Sequence, residues 1–191
     1  MKLSKVKKAL NTQNLKLYTD GNGDQWLASA HAAYLMDRDL TLTQDNLLAV
    51  LDVDEDKRAD WVVTEMGKAP ACLDQCPQEG CDELLIPIMS VCWLDELITI
   101  MRTDDGALAM VKQSQIAPAD GKEPLTFMLR RSVDPDTGEV MTPVVACFRD
   151  MLACAMLAPI KPDAAEKIME KMRACAEEGL AYCVESEEET T

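Results

Sequence analysis

Leu3, Val6 and Leu10 recur at helical spacing with lysines between them, and Ser4 stands where an N-cap belongs. This predicts a short amphipathic helix over residues 4–11 with one buried stripe. The period then drops to two. Leu15-Lys16-Leu17-Tyr18-Thr19 alternates like a strand, and Asp20-Gly21-Asn22-Gly23-Asp24 is a turn of residues that tolerate positive φ. A second strand is predicted from Trp26 to Leu35, with Trp26, Ala28, Ala30, Ala32 and Tyr34 on one face. Thr41 to Asp52 reads as a helix capped by Thr43, with Leu42 and Leu47 placed as a hydrophobic staple. A charged loop at 54–58 and a strand at 61–64 follow.

Residues 67–82 break the pattern. Two prolines, two glycines and three cysteines there predict an exposed irregular loop. Apolar runs at 84–91 and 94–101 predict two strands, the first bulged or at an edge because of Pro87. Asp104-Asp105-Gly106 turns into a short strand at 107–111, and Pro118 limits the segment 112–119 to about one helical turn. Leu125, Phe127 and Leu129 alternate with Thr126, Met128 and Arg130, and a Pro-Asp-Thr-Gly connection at 135–138 leads to strands at 140–148 and 151–160. Ala165, Ile168, Met169, Met172, Cys175 and Ala176 make the buried stripe of a last helix that starts at Pro162-Asp163 and stops at Gly179.

Summed, the pattern predicts an α+β fold: mostly antiparallel strands joined by hairpins, with three to four helices over one face of the sheet. A helix–strand–hairpin unit occurs twice, at 1–36 and 111–160. The expected organisation is a single domain over 1–184 and an acidic tail over 185–191.

Composition sharpens this picture. The 191 residues are 48% apolar, so a packed core is available, but aromatics are scarce and 12 methionines must help fill it. The net charge of −15 argues against adhesion to nucleic acid over the whole surface. The charge is uneven. Lys2, Lys5, Lys7 and Lys8 precede the first acid, and Glu185, Glu187, Glu188 and Glu189 crowd the other end. Such a lysine cluster is most often a solvated helix face and less often a phosphate contact. No apolar run follows the basic start and none is long enough to span a bilayer, so a cytoplasmic protein without membrane contact is expected.

Among the eight cysteines, Cys72, Cys76 and Cys81, with Cys92 further on, are the candidate metal ligands. Zinc needs about four thiolates or imidazoles, and pairs in one loop supply them readily. The C-x3-C-x4-C spacing departs from the usual knuckle, however, and reduced thiols in a loop are the more economical reading. His31 is the only histidine and is expected mid-strand, where it has no sequence neighbour to form a catalytic pair. The turn at 20–24 lacks the acidic twelfth position of a calcium loop, and its glycines join two strands rather than a strand and a helix, so it is no phosphate loop. The expectation is a non-enzymatic protein with no cofactor, zinc being the one metal its residues suggest.

The repeated unit resembles the DNA sliding clamps, in which each domain pairs two helix-plus-strand units with the helices lining a channel. The residues that carry the resemblance are 3–10 followed by Leu15-Lys16-Leu17, and 111–119 followed by 125–129. The resemblance implies a DNA-associated accessory factor that works as a homo-oligomer and touches the duplex backbone through Lys2, Lys5, Lys7 and Lys8, while the Met- and Cys-rich composition looks like that of small phage and bacterial proteins. Two other readings compete: an acidic interaction module or nucleic-acid mimic with a basic protein partner, and a small zinc-stabilised domain.

Overall fold

The computed structural model describes residues 3–10, 12–20, 22–134 and 137–188, the side chains of 179–188 excepted. The chain divides into two compact units, Met1–Pro159 and Ile160–Thr191.

The first unit is built on a ten-stranded sheet. Its elements are α1 (Leu3–Leu10), β1 (Asn14–Thr19), β2 (Gln25–Ala28), β3 (Ala32–Leu35), α2 (Gln44–Val50), β4 (Val62–Met66), β5 (Asp82–Trp93), β6 (Glu96–Arg102), β7 (Leu108–Lys112), α3 (Gln113–Ile116), β8 (Thr126–Arg130), β9 (Val144–Arg149) and β10 (Leu152–Leu157). The strands lie in the order β4-β1-β2-β3-β10-β9-β8-β5-β6-β7. Every pairing is antiparallel except β1 with β4. The fold is α+β, as the hairpin-rich sequence predicts.

The middle of the sheet contains one arrangement twice. A helix followed by a three-stranded meander appears as α1-β1-β2-β3 and again as α3-β8-β9-β10. The two meanders meet at the antiparallel β3/β10 pair, where Tyr34 lies opposite Ala155. Helix α1 packs on β3, α3 packs on β10, and the two helices touch each other. Outside this pair of units the flanks differ: β4 lies beyond β1, whereas β5, β6 and β7 lie beyond β8.

Over its central strands the sheet is buried on both faces, and strand alternation decides which side chain goes where. One face carries Leu15, Leu27, Tyr34, Leu129, Val145 and Leu157, which pack with Val6 and Leu10 of α1, Leu47 of α2 and Ile116 of α3. The opposite face carries Trp26, Ala28, Ala33, Ala146, Phe148 and Met156, which pack against Leu73.

Local signals explain several elements. Thr43 caps α2 as expected, in a reciprocal box with Asn46, while Leu42 and Leu47 are both buried. A bulge follows Pro87 in β5, because proline offers the ladder no N–H. The β9–β10 hairpin turns through Asp150 and Met151, both left-handed, which suits the twist of the flanking strands.

Four expectations are corrected. Residues 26–35 form two strands, not one. They fold back at Ser29–His31 and pair Trp26 with Leu35, so Trp26 and Tyr34 lie on opposite faces and His31 sits exposed in the turn. Ser29 makes this turn, accepting from the backbone N–H groups of His31 and Ala32, and the alanine-rich alternation hid it. The strand expected at 140–148 begins only at Val144, beyond Pro143. Residues 67–82 are an exposed loop only in part: Gly67, Lys68, Cys76 and Gly80 are exposed, whereas Leu73 and Gln75 are buried and Leu73 covers part of the second sheet face, as the next section describes.

The fourth correction concerns the second unit, a single helix, α4 (Pro162–Glu188). It runs through Gly179, where a stop was expected, and includes the first residues of the acidic tail. A lone glycine costs a helix only about 1 kcal/mol and does not end it without a left-handed φ. The expected continuous stripe is also absent, since Met169, Cys175 and Ala176 are exposed.

Candidate functional site

Three regions carry the candidate chemistry. The first is the helix-covered face. Val6, Ala9 and Leu10 turn α1 into the core, and the helical period then leaves Lys5 and Lys8 exposed and Lys7 half-buried. Lys5 Nζ donates to the carbonyl of Ala117, just past α3, at 3.4 Å, and Lys7 Nζ donates to the carbonyl of Asp52 at 2.6 Å. Tyr34 fixes α3 beside α1: its hydroxyl donates to the Gln115 carbonyl at 2.8 Å, and burial raises its pKa. Lys2 lies outside the described residues. The structure therefore places Lys5, Lys7 and Lys8 on one helix, where two of them reach carbonyls of neighbouring segments.

The second region is the cysteine segment. Arg130, on β8, is fully buried, and its cross-strand partner is Asp82 at the start of β5. Its Nε and Nη2 each donate to the Asp82 carboxylate at 2.7 Å. The remaining donors reach the backbone carbonyls of Cys72, Asp74 and Cys76, and the guanidinium lies 5.6 Å from the centre of the Phe148 ring. One arginine thus gathers three carbonyls of an otherwise irregular segment. Gln78 adds a bond to the Ala71 carbonyl at 3.0 Å, and the Gln75 carbonyl accepts from Ala153 N at 2.8 Å. Leu73 and Gln75 are buried as a result.

The thiols are arranged differently from the carbonyls. Cys72 is half-buried, with its pKa raised by desolvation, Cys76 is exposed, Cys81 is half-buried, and Cys92 is exposed far along β5. Among the described residues no three His, Cys, Asp or Glu side chains converge as a metal site would require. Sequence reasoning missed Arg130, taking it for an outward-facing polar residue of β8. The available signal was an arginine inside an apolar strand, with an acid at the start of another.

The third region is the β1–β2 turn. The Asp24 side chain is 2% exposed and pairs with both Nε and Nη2 of Arg38, whose own side chain is 70% exposed. The hydrogen bond from Arg38 holds the Asp24 carboxyl below its ordinary range; burial opposes this shift and the Gln75 amide supports it. Asp20 Oδ1 accepts from Asn22 N and Asp24 N, both at 2.9 Å, which closes the turn. Open hollows of about 510 and 640 Å³ lie to either side and share Thr19 and Asn22. Asp20 and Asp24 are thus committed to the turn and to Arg38 and Gln75.

No family model, no curated protein and no solved structure matches the chain. Among the described residues, no helix is long and apolar enough to cross a membrane.

Proposed function

We propose that the chain is a clamp-like, non-enzymatic accessory protein whose α1 face contacts the backbone of duplex DNA through Lys5, Lys7 and Lys8, with Lys2 at the start of the same segment. The observation that carries this reading is the paired architecture: two helix-plus-meander units joined at β3/β10, with α1 and α3 side by side on one face. Lysines on that face of a chain of net charge −15 concentrate positive potential in one place and leave the remaining surface repulsive to phosphate. Contacts of this kind position a protein on the duplex without reading its sequence. Three or four phosphate contacts predict a log-log salt slope of about −3.

Fluorescence anisotropy on short duplexes of unrelated sequence tests the reading. Binding should be insensitive to sequence and fall steeply with salt, and the pair Lys5→Glu and Lys8→Glu should abolish it. Binding that ignores salt, or that survives both reversals, would defeat the proposal. No binding to DNA at low salt, together with capture of a cationic protein, would favour the acidic-module reading, which the excess of 34 acids over 19 bases supports.

A further inference from the structure

The β5–β6 hairpin combines three properties found together nowhere else in the described sheet. First, β5 has a free edge. Its residues Asp82–Leu85 pair with β8 on one side, while Ile86–Trp93 pair only with β6 on the other. Among the described residues nothing pairs with the β8-side edge of that second half.

Second, this half of the strand is uncharged. From Leu84 to Leu94 there is no Asp, Glu, Lys or Arg, in a chain that is 28% charged. Comparable runs at 25–36 and 151–160 form β2, β3 and β10, inside the sheet. The two outermost strands do carry charge, Glu65 on β4 and Lys112 on β7, as strands that must resist edge pairing usually do.

Third, the apolar side chains are open to solvent. Ile86 and Ile88 are each 52% exposed, and Leu84, Met89 and Leu97 are exposed as well. Leu94, at the tip, is 84% exposed and left-handed (φ 49°), a conformation that asparagine or glycine would adopt at lower cost.

We propose that this free edge pairs with the same strand of a second copy, antiparallel about a twofold axis. Charge selects the occupant. Two chains of −15 repel over most of their surface, and this strand lets them approach without bringing carboxylates together. A twofold pairing is also self-complementary. Within Met89–Trp93, beyond Pro87 and its bulge, any register sets an uncharged residue against an uncharged residue, and unsatisfied backbone groups of one copy meet those of the other. The exposed parts of Leu84, Ile86, Ile88, Met89, Leu94 and Leu97 come to roughly 600 Å² per copy, below the ~800 Å² of a standard interface, so the dimer is weak and reversible. The proposal does not depend on the lysine face or on DNA.

Sedimentation velocity of the full chain over a concentration series in high salt tests it. The expected result is a monomer–dimer equilibrium that persists in salt. Ile88→Lys brings like charges together across the twofold and should weaken dimerisation at least about tenfold. Val62→Lys, on the β4 edge, and the pair Lys5→Glu and Lys8→Glu should leave it unchanged. Ser90→Lys repeats the test on the same edge should Ile88→Lys fail to fold by circular dichroism. A monomer at every concentration, a dimer that both edge lysines leave intact, or open-ended assembly beyond the dimer would each overturn the proposal.

Discussion

The segment 67–82 and the second half of β5 are adjacent in sequence and opposite in character. The first is irregular, rich in proline, glycine and cysteine, and yet held down: Arg130 collects its carbonyls and Leu73 enters the core. The second is an apolar strand, interrupted only by the bulge after Pro87, and yet exposed at Ile86, Ile88 and Met89. Regularity of pattern and burial are therefore separate quantities. A buried loop needs partners for its backbone polar groups, and one arginine from a distant strand can supply them. An apolar strand is buried only if the chain has something to lay over it.

The sharpest way to break this comparison is to remove the arginine. Arg130→Ala leaves the Asp82 carboxylate and the carbonyls of Cys72, Asp74 and Cys76 without their shared donor, and should cost ~3–5 kcal/mol by urea denaturation. Limited proteolysis should then cut within 67–82. Replacing both partners, Arg130→Met with Asp82→Leu, should cost less than either change alone, because no buried charge is left behind. A single arginine loss worth under ~1 kcal/mol would mean that the segment is held by its apolar contacts instead.

Leu73→Ala removes those contacts and should cost about 2–4 kcal/mol in the same assay. Asp24→Asn tests the neighbouring anchor through Gln75 and should cost ~1–2 kcal/mol at neutral pH. Its pH dependence has a definite sign. The folded pKa of Asp24 lies below its unfolded value, so the carboxylate's contribution is fully present above the unfolded value near 3.8 and is lost as pH falls through the folded value. Wild type and Asp24→Asn should therefore converge in stability in strong acid and reach their full, constant separation by about pH 4–5. The smallest effect belongs to the exposed strand. Ile88→Lys should change the unfolding free energy of the dilute monomer by less than ~0.5 kcal/mol, since half of that side chain is already in water. A large loss there would show that β5 is a core strand after all.

Much of the local structure was legible in the sequence. The lysine-spaced helix at Leu3–Leu10, the strand at Asn14–Thr19, the Thr43 cap and the bulge after Pro87 each follow from near-neighbour chemistry. The turn at Ser29–His31 was not legible, because alanines satisfy strand and turn alike and the side-chain bonds that close it come from one serine. The end of α4 was misplaced for a related reason: a glycine permits a stop without requiring one. Of the candidate sites, Lys5 and Lys8 fell on the exposed side of α1, whereas the cysteine spacing gave no hint that the segment's backbone, rather than its thiols, would be what a partner grips.

The sequence by itself determined the class of fold, most hairpins and the α1 lysine face, because periodicity, turn residues and caps act over a few positions. Only the tertiary structure decided that β3 and β10 meet, that Arg130 spans from β8 to residues 72–76, and that β5 keeps an unpaired edge. Each of those depends on which distant backbone groups find each other, and the free energy that selects such pairings comes from burying whole faces together rather than from any single stretch of chain.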